Sequence, residues 1–99
     1  VISKNVLFQI GQLLATRGVA DLAESDAAFS KHVSSSLARY ITGDWGDVCA
    51  SDWQRNDHAV KYGDRILGSY ECPEHPSWKI WIITEWDRSA TTILFPDEY

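Results

Sequence analysis

The sequence predicts an α+β domain, with N-terminal helices packed on a three- to four-stranded antiparallel sheet that closes the chain as a β-meander. Three observations lead there. Between residues 26 and 41, Phe29, Val33, Leu37, Tyr40 and Ile41 recur at steps of three or four, which places them on one helical face. Beyond Gly63 that period gives way to short runs rich in β-branched and aromatic residues. Those runs are separated by prolines and polar turn residues that cannot continue a strand ladder.

Taken in chain order, residues 6–15 (VLFQIGQLLA) form a run too short and too apolar for period to separate strand from helix, and we read them as a strand. Thr16 has the side chain of an N-cap, opening a short helix over residues 18–24 with Val19, Leu22 and Ala23 on one side. The helix begun at Asp26 is the most strongly patterned, with Ser34, Ser35 and Ser36 assigned to its solvated side. Residues 42–48 (TGDWGDV) must turn, and Gly43 suits the left-handed position past a helix end. Ser51 with Gln54 three residues on has the form of a capping box, and its helix runs to about Tyr62 with Gly63 as its stop. Trp53, Asn56, Ala59 and Val60 then share an inner surface. Strands are expected over residues 66–71, 78–84 and 91–95. The second, WKIWIIT, is apolar on both alternating faces and reads as central, needing cover from both sides.

The 99 residues fit one domain spanning residues 1–99, with no room for a second. The net charge of −5 and the scattered basic residues work against direct nucleic-acid binding, which needs Lys and Arg gathered on one face. No stretch has the length or hydropathy of a membrane span or a signal-peptide core, so a cytoplasmic protein is expected. Cys49 and Cys72 match neither a redox pair nor a zinc knuckle and read as free thiols; no cofactor and no metal are expected. Five tryptophans exceed what one small core needs. Trp78, Trp81 and Trp86 are therefore the expected anchors of an interface, most simply in a homodimer.

Several motifs recur as a set: GDWGD at residues 43–47, Asp52, Asn56, Gly63, RIL at 65–67, Tyr70, WIITE at 81–85, DRS at 87–89, TTIL at 91–94 and P-x-E-Y at 96–99. On these the chain resembles a family of small uncharacterised proteins carried on bacterial plasmids, integrative elements and gene cassettes. The likeness covers residues 39–99, with a weaker match at 11–16. It implies a mobile-element origin and no agreed activity. In that family a histidine usually stands at the position of Tyr40, and a small residue at that of Trp86.

Two polar groups are candidates for chemistry. Asp44, Asp47 and Asp52 crowd the turn and the following helix start, and their oxygens suit a hard cation or, alternatively, brace the turn while Trp45 plugs the core. Glu85, Asp87 and Arg88 lie at the end of the central strand, where Arg88 either binds an anion or locks the hairpin. Asp44, Asp47, Asn56, Glu85, Asp87 and Arg88 together make the candidate ligand-binding cluster. Of the histidines, His32, His58 and His75, His58 is best placed for acid-base work. The reading from sequence is a non-enzymatic interaction module that self-associates and meets a protein partner. The alternative is a small hydrolase or nuclease whose cleft joins GDWGD, Asn56 and Tyr70 to Glu85 and Arg88.

Overall fold

The computed structural model describes residues 6–99. The element order is β1 (Gln12–Ala15), α1 (Arg17–Ser25), α2 (Ala27–Tyr40), α3 (Ala50–Tyr62), β2 (Ile66–Tyr70), β3 (Ile80–Thr84) and β4 (Ala90–Leu94), with one-turn 3₁₀ helices at Pro76–Trp78 and Pro96–Glu98. The fold is α+β. Strands β2, β3 and β4 form the expected antiparallel meander. The sheet is mixed, however, because β1 adds to β4 in parallel and gives the order β1-β4-β3-β2. A parallel neighbour needs a long crossover, and the three helices supply it. Of the apolar run at residues 6–15, only the last four residues are strand.

Helix α2 starts where Asp26 accepts hydrogen bonds from the Ala28 and Phe29 amides, 2.9 and 3.1 Å away. Its buried stripe is Phe29, Ser36 and Tyr40. Ser36 thus lies inside, unlike the exposed Ser34 and Ser35, because it sits seven residues after Phe29 and four before Tyr40. Helix α1 departs from the expected local cap. Thr16 occupies the N-cap position but makes no capping bond there. Its hydroxyl donates instead to Glu98 Oε1 at 2.6 Å, and Glu98 Oε2 accepts from the Gly18 amide at 3.1 Å. A carboxylate from the far end of the chain therefore caps α1, and the Thr16 hydroxyl holds that carboxyl below its usual range. For α3 the N-cap is Cys49, without a side-chain capping bond, in place of Ser51. Gly43 and Gly63 both take the left-handed φ expected of them.

Registry fixes which strand residues share a face. Ile66, Gly68, Tyr70, Ile80, Ile82, Thr84, Thr91 and Ile93 lie opposite one another on the side that packs beneath the helices. Leu67, Ser69, Trp81, Ile83, Thr92 and Leu94 lie on the other. Strand β3 has a neighbour on each side, as expected, but starts at Ile80, and Trp78 belongs to the preceding 3₁₀ turn. Ile83 and Leu94 are buried without joining the helix-side core. Around them the second face carries half-buried Trp81, met by the edge of the Tyr99 ring at 5.8 Å, with the Arg65 guanidinium over Tyr99.

A chain of hydroxyls crosses the helix-side core. Thr91 donates to the Ile10 carbonyl at 2.7 Å, Thr84 Oγ1 lies 2.7 Å from Thr91 Oγ1, and the Tyr40 hydroxyl lies 2.7 Å from Thr84 Oγ1. Each hydroxyl has one proton. With that of Thr91 given to a carbonyl, Thr84 must donate to Thr91 and Tyr40 to Thr84, so the chain runs in one direction. Burial drives the Tyr40 phenol pKa upward and keeps it a donor. Thr91→Val would keep the shape but strand the Ile10 carbonyl, and it would force Thr84 to donate to Tyr40, whose own proton then has the Ile66 carbonyl at 3.3 Å. It should cost about 2 kcal/mol in urea unfolding, more than Tyr40→Phe, which leaves every other hydroxyl proton with its acceptor.

Candidate functional site

Two of the residues singled out from sequence, Asp47 and Asn56, with the turn that Asp44 shapes, hold the outer edge of β2. In a strand, alternate residues point their N–H and C=O groups to the same side. On β2 the outward groups belong to Leu67, Ser69 and Glu71. The Asn56 amide pairs with Leu67 in both senses, Nδ2 donating to its carbonyl at 2.8 Å and Oδ1 accepting from its N–H at 3.2 Å. The Ser69 N–H donates to the Trp45 carbonyl at 3.1 Å, and the Asp47 N–H donates to the Ser69 carbonyl at 2.7 Å. One step further the Glu71 N–H donates to Asp47 Oδ2 at 2.8 Å. One side chain and one turn thus take the place of a fifth strand.

The GDWGD turn is shaped for that contact. Asp44 Oδ1 accepts from the Gly46 N–H at 3.0 Å, and both Asp44 oxygens accept from Arg39, at 2.8 and 3.2 Å. The Arg39 guanidinium holds the Asp44 carboxyl below its ordinary range and also lies 5.2 Å over the Tyr70 ring. Tyr70 in turn donates its phenol proton to the Asp44 carbonyl at 2.7 Å. Gly46 has φ +77, and a Cβ there would run into the Ser69 carbonyl and the Tyr70 ring, so only glycine brings the turn against the strand. Trp45 is fully buried between Tyr40 and Phe8, and its indole N–H donates to Asp57 at 2.9 Å.

The second polar group is equally committed. Arg88, itself at φ +61, donates to the Asp64 carbonyl at 2.6 Å and to the Ala59 carbonyl at 2.7 Å, and so closes the C-terminal end of α3. Asp87 accepts from the Ser89 N–H at 3.0 Å and shapes the β3–β4 turn. Glu85 takes part through its backbone, its N–H donating to the Ala90 carbonyl. Asn56 borders a recess of about 240 Å³, with Asp52, Arg55, Arg65 and Leu67, but Asp44, Asp47, Glu85, Asp87 and Arg88 are absent from it. Among the described residues no three His, Cys, Asp or Glu side chains are placed to hold a metal ion.

The histidines serve neighbouring aromatics. His32 Nε2 lies 3.1 Å from the Trp78 carbonyl, His75 stacks on Trp78 with ring centroids 3.9 Å apart, and exposed His58 packs on Tyr62. Trp78 is 9% exposed and meets Phe29 edge-on, so it belongs to the core and not to a surface patch. Trp81 is half-buried on the face opposite the helix-side core, and Trp86 stands exposed in the β3–β4 turn. Both cysteines are free thiols, Cys49 at the surface and Cys72 half-buried. Sequence reasoning missed Arg39, Asp57 and Glu98; an Arg five residues before the Asp of a tight turn is the one local signal among them.

Asn56→Leu tests the edge assignment. It leaves the Leu67 N–H and C=O without partners and should lower stability by about 2 kcal/mol in chemical unfolding, with faster hydrogen exchange at the Leu67 amide. Comparison with models of known protein families, with curated proteins and with solved structures finds no match to this chain.

Proposed function

We propose that this protein is a non-enzymatic interaction module that self-associates, serving as an accessory protein of a mobile element. The observation that supports it is an unequal treatment of surface. Asp47, Asn56, Asp87 and Arg88 are engaged with backbone groups and Asp44 with Arg39, whereas large apolar side chains are left in water. Leu13, Leu14, Trp86 and Tyr99 are 47%, 41%, 67% and 70% exposed, and half-buried Trp81 lies on the sheet face opposite the helix-side core. Tryptophan and tyrosine contribute most to interfaces when a partner removes them from water. The acidic charge speaks for a protein partner over a nucleic acid.

The hydrolase reading needs Asp44 and Arg88 to share a cleft. Arg39 holds the first, and the end of α3 holds the second. No observation favours that reading over self-association. Sedimentation equilibrium over a concentration series provides the test. A mass approaching twice the 11.2 kDa of the chain is expected at high concentration. A constant monomer mass would contradict the proposal.

A further inference from the structure

The two edges of the sheet are treated differently. At β2 every outward N–H and C=O named above has an intramolecular partner. At β1 all four residues, Gln12 to Ala15, are exposed, and among the described residues no segment runs alongside. Backbone parity shows which groups face out. The Gln12 N–H donates to the Ser89 carbonyl and the Thr16 N–H to the Ile93 carbonyl, both at 3.0 Å. Gln12, Leu14 and Thr16 therefore point their backbone groups at β4, and Leu13 and Ala15 point theirs outward. Edges of this kind are commonly guarded by charge, proline or a bulge. QLLA has no charge and no proline, and it presents a leucine on each face.

We propose that this edge pairs with the same edge of a second copy of the chain, antiparallel about a two-fold axis perpendicular to the sheet, giving one continuous eight-stranded sheet. The inference rests on the self-association proposed above and names its surface. A second copy is favoured over an unrelated strand because the edge is self-complementary. A perpendicular two-fold keeps each face continuous, so residues opposite one another must come from the same face. Three registers satisfy this with Leu13 or Ala15 as bonded residues, and the one that pairs Ala15 with Ala15 would set Leu13 against Arg17, which is helical and cannot extend the ladder. Pairing Leu13 with Leu13 of the second copy would require Gly11 to extend the ladder, and Gly11 has φ +61, outside the extended region. The remaining register pairs Leu13 with Ala15 in both directions, making four backbone hydrogen bonds. Leu14 then sits on the axis opposite its own copy, in the closely spaced non-hydrogen-bonded position. Its side chain continues the face that carries Trp81 and Ile83, since Leu14 is in register with Thr92 and Thr92 with Ile83. No like charges meet across the axis within the strand.

A charge exchange at Leu14 tests the pairing, because the side chain is 41% exposed in the single chain and tolerates replacement there. Leu14→Lys and Leu14→Glu should each raise the dimer dissociation constant at least about tenfold through like charges set opposite one another, while thermal unfolding of dilute monomer stays near that of the parent. Mixing the two variants in equal amounts should restore dimer as the mixed pair. Ala15→Pro, which removes an outward N–H and leaves the Thr16 bond to β4, should also weaken dimerisation. A parent chain that stays monomeric would overturn the self-association reading itself. A parent that dimerises, with variants that dimerise equally well, would overturn the β1 pairing alone. Variants that are folded and monomeric but do not rescue each other would overturn the two-fold placement of Leu14.

Discussion

A sheet edge carries N–H and C=O groups that must find partners in the molecule, in water or in another chain, and much of this structure follows from how one edge is satisfied. Among the described residues strand β2 has no fifth strand beside it, and the chain makes a substitute. The Asn56 amide copies the donor and acceptor of one residue, and residues 45 and 47 supply the next pair. That single requirement explains the composition of GDWGD. One aspartate ties the turn to Arg39, glycine permits close approach, tryptophan anchors the turn in the core, and the second aspartate reaches the Glu71 amide. It also explains the buried asparagine on α3, because a helix at that edge must offer the strand both a donor and an acceptor.

The same economy of partners holds in the core. Tyr40, Thr84 and Thr91 place three hydroxyls among aromatic and aliphatic side chains, where an unpaired polar group is costly. Their ordered chain ends on the Ile10 carbonyl and so ties the segment entering β1 to the middle of the sheet. Around it Phe8, Tyr40 and Trp45 meet edge-on or tilted, and Phe29, Trp78 and Phe95 form a second aromatic group under α2. Phe8, Tyr40 and Trp45 come from three different segments, so the turn, the helix and the entering chain are packed as one unit.

What the sequence makes legible is local. The period of α2, the glycines that end α2 and α3, and the meander of β2 to β4 are set by side chains acting within a few residues of themselves, and each is found where expected. The remainder depends on contacts across the fold. The parallel pairing of β1 with β4 joins residues 78 apart, as in Gln12 with Ala90, and the Thr16–Glu98 bond spans 82. Nothing near Arg88 reveals that its acceptors are carbonyls of residues 59 and 64, nor near Asn56 that it will meet Leu67. The cluster, and the option that it braces the turn and the hairpin, were therefore visible in the sequence, while the partners through which it does so were not. Trp78 is a related case: alternation along WKIWIIT places it at a strand start, whereas Pro76 turns the chain into a 3₁₀ helix and carries the indole inward.

Amide hydrogen exchange read residue by residue tests the central claim, that side chains and a turn close one edge of the sheet as a strand would. At low protein concentration, the Leu67, Ser69 and Glu71 amides should exchange as slowly as those bonded between β2 and β3, and the Leu13 and Ala15 amides should exchange quickly. Rapid exchange at Leu67 and Ser69, equal to that at Leu13, would contradict it.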